Sequence, residues 1–566
     1  MSAVVHAGGP HRLAERLAAW AAWRPELASE TLALIAAVYF SLFCNGRFWA
    51  AVGDTGSLDG AGALTAICLF VMLTAANVFL LGLLLTRRTA KPVLTVLLVV
   101  TAMAVYYMRA YTVYLDPDMV RTILHTDGKE SRELIAPGLV ASVLVLGVLP
   151  ALLLWRVRIR QRPLGRALLV RGLVLAAALA TVAAAALVSF QSLSALMRNH
   201  RELRHLATPG NYLVSLVRVL AEDTAAKDRP RIPVGTDARV AARPATAKPR
   251  LLVLVVGETA RAQNWGLNGY ARQTTPELAR IGPVNFTDVT ACGSSTEISL
   301  PCMFSPYGRR DYDKERIKRS ESLLHVLDHA GIATLWRDNQ TGCKGVCDGL
   351  PFESYEHGRD DVYCDAQGCL DEVLLQGLRE AVDAQPGDRV VVLHPLGNHG
   401  PSYYRRYPPD LRRFTPACED AELGNCSREA IVNAYDNALL YTDRFLARAI
   451  ALLAADTTRQ TALIYVSDHG ESLGEGGLYL HGVPYAIAPR TQTQVPMIAW
   501  LSPAWLADDG IDAACLRRRA EAPASHDNLF HSVLGLLDVT TAAYAPEQDL
   551  FAGCRRPSGR PALAGG

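Results

Sequence analysis

The stretch Leu251-Leu252-Val253-Leu254-Val255-Val256-Gly257-Glu258-Thr259-Ala260-Arg261 decides the fold. An apolar run with strand character ends in a glycine and a carboxylate. A second such run, 462–466, ends in Ser467-Asp468-His469-Gly470-Glu471. Open α/β sheets gather their functional groups beyond the carboxyl ends of the strands, so each run would deliver carboxylate or imidazole ligands there. Further strand-like runs at 332–336, 390–393 and 497–501 alternate with helical patterns at 321–330, 370–384 and 430–454. Alternation of this kind predicts a mostly parallel sheet with helices on both faces.

Between those two runs lies Cys292-Gly293-Ser294-Ser295-Thr296-Glu297-Ile298-Ser299-Leu300-Pro301-Cys302. Small residues let the backbone turn, and the hydroxyls stand where a helix would start, so one can lie where backbone N–H groups attract an anion. A disulfide across the loop would hold a hydroxyl nucleophile in one place. Phosphoryl transfer needs such a nucleophile, neutralisation of the nonbridging oxygens and stabilisation of the leaving alkoxide. A hydroxyl attacks poorly at neutral pH unless a metal lowers its pKa. Glu258, Asp468 and His469 offer two oxygens and one imidazole nitrogen, with Thr296 as a fourth, exchangeable position. That set suits a catalytic zinc, and mixed ligands of this kind also suit Mn²⁺ or Mg²⁺. By chemistry alone Ser294, Ser295 and Thr296 are equal candidates for the attack, and Ser295 is a natural N-cap if Thr296 is chosen.

At 566 residues the chain exceeds one ordinary core, and its net charge of +2 gives no support to a nucleic-acid binder. Cys44 and Cys68 lie in apolar runs, while the other ten cysteines fall between Cys292 and Cys554. Ten cysteines in the hydrophilic half, without paired CxxC repeats, read as disulfides formed in an oxidising compartment. Apolar stretches at 31–51, 63–86, 92–114, 136–155 and 167–190 are each near the ~20 residues that span hydrocarbon. Residues 1–28 show no cleavage pattern and read as an uncleaved start. Arg87, Arg88 and Lys91, then Arg156, Arg158, Arg160, Arg162 and Arg166, crowd the second and fourth connections. The first and third carry acids instead, Asp54 and Asp59, then Asp116, Asp118, Asp127, Glu130 and Glu133. The positive-inside rule then places the N-terminus in the cytoplasm and everything after residue 190 outside.

Within the third connection, 119–126 reads as a short amphipathic helix whose apolar side chains are Met119, Ile123 and Leu124. Residues 191–222 suit interfacial helices, and 223–249, rich in Ala, Pro, Lys and Arg, reads as a linker. The expected organisation is a transmembrane domain at 1–190, interfacial helices and linker at 191–249, and a catalytic domain at 250–566.

The chain resembles the phosphoethanolamine transferases of Gram-negative inner membranes, which include lipid A-modifying and mobile colistin-resistance enzymes. The resemblance rests on Gly257-Glu258-Thr259-Ala260-Arg261, the segment 292–302, Gly397-Asn398-His399-Gly400-Pro401, Asp468-His469-Gly470-Glu471-Ser472-Leu473-Gly474-Glu475 and His481-Gly482, in that order. It implies an alkaline-phosphatase/sulfatase-like α/β domain in the periplasm beside a five-helix membrane bundle. It implies zinc, one ion held tightly by Glu258, Thr296, Asp468 and His469 with room for a second, and it selects Thr296 as the nucleophile. His399 and His481 match histidines that meet the phosphate or a second zinc and protonate the leaving oxygen. Thr341 and Lys344 match headgroup contacts. The donor-lipid pattern Asn-x-x-x-Thr-x-x-x-Glu is kept at Thr126 and Glu130, with Thr122 where Asn is usual, and Gly476 likewise replaces an Asn. The resemblance further implies the pairs Cys292–Cys302, Cys343–Cys347, Cys364–Cys369, Cys418–Cys426 and Cys515–Cys554. The implied partners are phosphatidylethanolamine, lipid A or a related glycolipid and the bilayer, with no nucleic acid and a monomeric enzyme. Modified lipid A carries less negative charge and binds cationic peptides such as polymyxins less well. The alternatives are phosphoethanolamine or phosphoglycerol transfer to another acceptor, an ester hydrolase, and a catalytically dead receptor. A sulfatase of the formylglycine type is disfavoured, since the chain has no Cys/Ser-x-Pro-x-Arg signature.

Overall fold

The computed structural model describes residues 24–55, 62–126, 128–227, 230–355, 362–365 and 368–555. Most of the expected uncleaved start, together with Asp59 and Asp127, lies outside the described residues, as do the side chains of residues 129, 130 and 225–227. The first part is helical: α1 (Ser29–Phe43), α2 (Gly46–Asp54), α3 (Gly62–Leu84), α4 (Ala90–Ala110), then α5 (Pro117–His125) and α6 (Gly128–Glu133). α7 (Pro137–Arg156) contains a π-helical stretch at Val143–Val148, and α8 (Leu164–Val188), α9 (Phe190–Asn199) and α10 (Gly210–Lys227) follow. Among the described residues, α3, α4, α7 and α8 are long and apolar enough to cross a membrane. The expected first span is instead a bent pair, α1 and α2 meeting at 51°, which makes a fifth crossing if it counts as one. Asn45 explains how the bend is tolerated. Its amide is buried and donates to the carbonyls of Phe40 (2.8 Å) and Thr208 (2.9 Å), while its oxygen accepts from Thr208 N–H (2.8 Å). One side chain thus satisfies backbone groups that a broken helix leaves open. The third span stops at Ala110, short of the expected 114, and Thr112 then adopts a φ of 57°.

The chain forms two compact units. One combines the described residues up to Arg109 with Pro137–Val217; the other combines Ala110–Ala136 with the described residues from Arg218 onward. The second unit is built on an eight-stranded sheet: β1 (Arg250–Gly257), β2 (Val284–Thr290), β3 (Ala333–Asp338), β4 (Phe352–Ser354), β5 (Arg389–His394), β6 (Gln460–Ser467), β7 (Gln494–Leu501) and β8 (Ala524–Ser525). Their spatial order is β8-β2-β7-β6-β1-β5-β3-β4, parallel throughout except for β7, which runs antiparallel to both neighbours. Every residue of β1, β5 and β6 is buried, which is why these central strands read as unbroken apolar runs. β2 escaped the sequence reading because only Val284, Phe286 and Val289 point inward, between Asn, Thr and Asp.

Around the sheet lie α11 (Thr296–Met303), α12 (Leu323–His329), α13 (Leu378–Asp383) and the long buried α14 (Arg428–Ala454), whose N-cap Ser427 accepts from Ala430 N–H. The expected helix at 370–384 is broken. Residues Asp371–Leu375 form a 3₁₀ turn and Gly377 takes a φ of 59° before α13 begins. The reason is local: Asp371 accepts from the N–H groups of Leu396 and Gly397, and Arg337 donates to the carbonyls of Leu374 and Gln376, so this backbone is held by side chains. The expected linker is also less open than its composition suggests. α10 continues to Lys227, and Arg239–Val240 pairs antiparallel with Val539–Thr540. Five disulfides join Cys292–Cys302, Cys343–Cys347, Cys364–Cys369, Cys418–Cys426 and Cys515–Cys554.

Candidate active site

Parallel pairing of β1 with β6 sets Ser467 opposite Gly257, so the next residues, Asp468 and Glu258, leave the sheet side by side. Asp468 N–H bonds back to the Gly257 carbonyl at 2.8 Å. The chain turns at Thr259, whose φ of 58° is held because Tyr435 donates to its carbonyl at 2.7 Å and its hydroxyl donates to Glu258 Oε1 at 2.6 Å. The carboxylates of Glu258 and Asp468 and the imidazole of His469 each present a ligand atom within 4.8 Å of the others, all three side chains being buried. His469 Nδ1–H donates to the Gly470 carbonyl at 2.9 Å, which leaves the Nε2 lone pair facing the two acids. Burial holds the His469 pKa below its ordinary value, keeping the ring neutral as a metal ligand must be. Asp468 Oδ2 is buried and has no hydrogen-bond partner. Two buried acids, a neutral imidazole and an orphaned carboxylate oxygen are a donor set that fits a divalent cation.

Thr296 opens α11 and faces this corner, its Oγ1 3.2 Å from Glu258 Oε2 and 3.3 Å from His469 Nε2. Ser294 is directed elsewhere, donating to the Val483 carbonyl at 2.6 Å. Ser295 occupies the N-cap position but forms no side-chain cap bond. The loop is pinned by Gly293 N–H to Ser299 Oγ at 2.8 Å, and Gly293 has no room for a Cβ, which would lie 2.8 Å from Ile298.

His481 stands between His469 and His399, its ring tilted against the first with centroids 4.3 Å apart and edge-to-face with the second at 5.5 Å. Burial lowers these two imidazoles, His481 to about 4 and His399 well below its ordinary range, the latter further depressed by His481. His481 Nδ1 lies 3.1 Å from Glu471 Oε2, whose carboxyl burial pushes well up. The two loops are tied to the segment before Thr296 and to the sheet: Gly482 N–H bonds to the Ser294 carbonyl at 2.7 Å, and Asn398 N–H to the Glu258 carbonyl at 3.1 Å.

Gln340, which sequence reasoning missed, donates from Nε2 to Glu258 Oε2 at 2.6 Å. Its place two residues beyond β3, at the same sheet edge as Glu258 and Asp468, was the available signal. Lys344, inside the Cys343–Cys347 loop, reaches back to Thr341, its Nζ 2.6 Å from Thr341 Oγ1. His394, the last residue of β5, pairs with Asp338 at 2.6 Å. On α5 and at its C-cap the hydroxyls of Thr122 and Thr126 donate to the carbonyls of Asp118 and Thr122. α5 starts earlier than expected, at the Asp116 N-cap, and buries Val120 and Arg121 rather than Ile123 and Leu124. Its Met119 fills the space beside Gly482. The side chain of Glu130 lies outside the described residues.

Known proteins share this architecture. The family described as Sulfatase matches residues 250–539, and that described as Phosphoethanolamine transferase EptA/EptB matches residues 73–224. Phosphoethanolamine transferase EptA of Escherichia coli (strain K12) is 37% identical over 543 residues, which cover 94% of this chain and 98% of the relative. The chain belongs to the phosphoethanolamine transferase family. Phosphatidylethanolamine transferase Mcr-1 of Escherichia coli is 36% identical, over 92% of this chain and 96% of its own. Among solved structures, the integral membrane protein lipooligosaccharide phosphoethanolamine transferase A (EptA) from Neisseria meningitidis superposes with a TM-score of 0.89 at 38% identity. That match covers 94% of this transferase and 100% of the other chain.

Proposed function

We propose that this transferase moves phosphoethanolamine from phosphatidylethanolamine to a phosphate of lipid A, through a covalent adduct on Thr296. The observation that carries the reading is Thr296 Oγ1, poised 3.2 Å from Glu258 and 3.3 Å from His469 at the strand ends. Glu258, Asp468 and His469 would hold one Zn²⁺, with Thr296 as the exchangeable fourth position and His399 and His481 available to a second ion. When bound, zinc would neutralise phosphate charge and lower the pKa of the threonine hydroxyl.

In the first half-reaction Thr296 Oγ gives up its proton to solvent and attacks the donor phosphorus, the bond to the diacylglycerol oxygen breaks, and diacylglycerol leaves once that oxygen is protonated. His481 and His399 are neutral before the donor arrives, and an anionic phosphate beside them raises their proton affinity. They then supply the proton that the leaving oxygen takes. Lys344 and Thr341 orient the donor phosphate through charge-assisted hydrogen bonds, while Thr122, Thr126 and Glu130 meet the headgroup. In the second half-reaction an acceptor phosphate oxygen attacks the adduct phosphorus, the bond to Thr296 Oγ breaks, and Oγ takes up a proton again, which restores the free hydroxyl. The orientation follows the basic connections: N-terminus cytoplasmic, residues 250–566 forming the periplasmic catalytic domain of a monomeric inner-membrane enzyme. The added amine offsets lipid A charge, and cells become resistant to polymyxin-like peptides.

The test is mass spectrometry of lipid A from cells with and without the gene, paired with peptide mapping after donor is supplied without acceptor. We expect lipid A heavier by phosphoethanolamine and the same mass on the Thr296 peptide. Unmodified lipid A would sink the acceptor; an adduct on Ser294 or Ser295 would sink the nucleophile.

A further inference from the structure

Segment 110–136 connects two membrane helices in sequence but belongs to the compact catalytic unit, and buried charge fastens it there at two points. The first runs through α5. Arg121 is 3% exposed, and its guanidinium lies 2.8 Å from Glu222 and 4.0 Å from Glu297. Glu297, 4% exposed, follows Thr296 in the first turn of α11. Its other partners are Lys318 at 2.5 Å and, again from α5, His125 at 3.4 Å. The second runs through α6, where buried Glu133 pairs with Arg406 at 2.5 Å, and Arg406 Nε donates to the His399 carbonyl at 2.8 Å. One path ends on the residue next to Thr296, the other on the backbone of His399.

We propose that Glu297 and Arg406 are positioning residues, through which segment 110–136 holds the nucleophile and the His399 loop in register for transfer. The inference rests on the reading of Thr296 as the nucleophile. The first turn of α11 needs such a hold. Ser295 supplies no side-chain cap, so the orientation of that turn is not set by the usual N-terminal bond. An acidic residue at this position would favour any helix N-terminus from solvent. Glu297 instead lies buried among Arg121, Lys318 and His125, where a carboxylate is stable only while those partners surround it. Its ion pairs therefore fix the rotation of the turn that carries Thr296. Arg406 acts in the same way on a loop, joining a carboxylate from α6 to a carbonyl in the His399 turn. Because α5 also bears Thr122 and Thr126, the element that would meet the donor lipid is the one that aligns the attacking oxygen.

The experiment uses full-length, zinc-loaded protein in detergent with phosphatidylethanolamine as donor and lipid A as acceptor. For Glu297→Gln and Arg406→Lys we expect kcat to fall about 10- to 100-fold, the scale of an ångström-sized misplacement, with the donor KM within about twofold. Zinc per protein should stay at the wild-type value, and the rate of adduct formation on Thr296 should fall in step with kcat. Glu297→Asp, which keeps the charge, should recover part of the rate. Arg121→Met should add little further loss in a Glu297→Gln background, since both act on one contact. A wild-type kcat in Glu297→Gln and Arg406→Lys, a rise in KM alone, or a rate loss that merely tracks lost zinc would overturn the inference. Thr296→Ala separates the two claims. If it still transfers, the nucleophile reading itself fails; if it is dead while Glu297→Gln turns over normally, only the positioning role fails.

Discussion

Glu258, Asp468 and His469 stand at the ends of two neighbouring strands, whereas Lys344, His399 and His481 hang on loops. The strand-borne group takes its position from the ladder: once Ser467 pairs with Gly257, the two acids must emerge together. The loop-borne group takes its position from side chains, a disulfide at Cys343–Cys347, the Asp371 carboxylate under Leu396 and Gly397, and Arg406 on the His399 carbonyl. A ladder of many backbone bonds tolerates the loss of any one contact, while a loop set by two or three side chains does not. Thr296 sits between the two regimes, on a helix end that faces the strand corner.

The largest effect should therefore come from the one atom that neither regime can replace. Thr296→Ala removes the attacking oxygen and leaves Glu258, Asp468 and His469 in place. Transfer should drop by at least about 10⁴-fold while the protein folds and retains zinc, because a missing nucleophile closes both half-reactions. Thr296→Ser should keep partial activity. A continuous assay of diacylglycerol release with metal analysis checks both, and appreciable release by the alanine variant would break the assignment.

Next in size is the support beneath the strand-borne acids. Gln340→Ala frees Glu258 Oε2 of its 2.6 Å hydrogen bond without touching a ligand. Outer contacts of this kind are worth about 10- to 100-fold in metal affinity. Competition with a chelator should show zinc held that much more weakly, with activity restored at saturating metal. Unchanged affinity would mean that the strand ladder alone fixes Glu258.

Much of this was legible in the sequence, for physical reasons that differ along the chain. The central strands announce themselves because burial on both faces demands unbroken Val, Leu and Ile. The apolar spans are equally plain, since hydrocarbon accepts little else. Glu258, Asp468 and His469 were readable as a candidate metal-binding set from their place after such runs, and the structure brings the three together. What escaped depends on partners remote in sequence. Gln340 is an ordinary polar residue until β3 sets it beside Glu258. The strand Val284–Thr290 hides behind its outward Asn, Thr and Asp, and the helix expected at 370–384 yields to bonds with Arg337, Leu396 and Gly397. The bend at Asn45 requires Thr208, 163 positions away.

A smaller effect is expected on the loop side. Lys344 Nζ already bonds Thr341 at 2.6 Å, so the cation is held ready within its disulfide loop. Lys344→Ala should raise the donor KM about tenfold, the scale of one lost charge-assisted hydrogen bond, with kcat reduced less than threefold or so. Steady-state kinetics with donor in mixed micelles would show it. A fall in kcat with KM unchanged would instead place the lysine in the chemical step.

The smallest effect on turnover, and the sharpest on stability, belongs to His526, which bridges the two regimes. Its Nδ1 accepts from Cys292 N–H at 3.1 Å in the loop that leads to Thr296, and its Nε2–H donates to the Ser467 carbonyl at 2.9 Å at the end of β6. The first of these bonds requires the neutral ring, since a protonated Nδ1 can no longer accept. Burial lowers its pKa from 6.5 to about 4, partly opposed by the Ser467 carbonyl and Asp468. The folded protein thus refuses a proton that the unfolded chain accepts. Above pH 6.5 neither state is protonated and the full stability is present. As the pH falls from 6.5 towards 4 the unfolded chain gains the proton first, so stability is lost, and below about 4 the loss levels off. That gap corresponds to on the order of 3 kcal/mol. His526→Gln can accept and donate without titrating, so at pH 7.5 its turnover should stay within about threefold of wild type, the bonds being kept. Between pH 7.5 and 4.5 the wild-type Tm should fall relative to that of the variant, measured in detergent at fixed zinc. Parallel Tm curves across that range would show that the bridge between strand and loop does not depend on the protonation of His526.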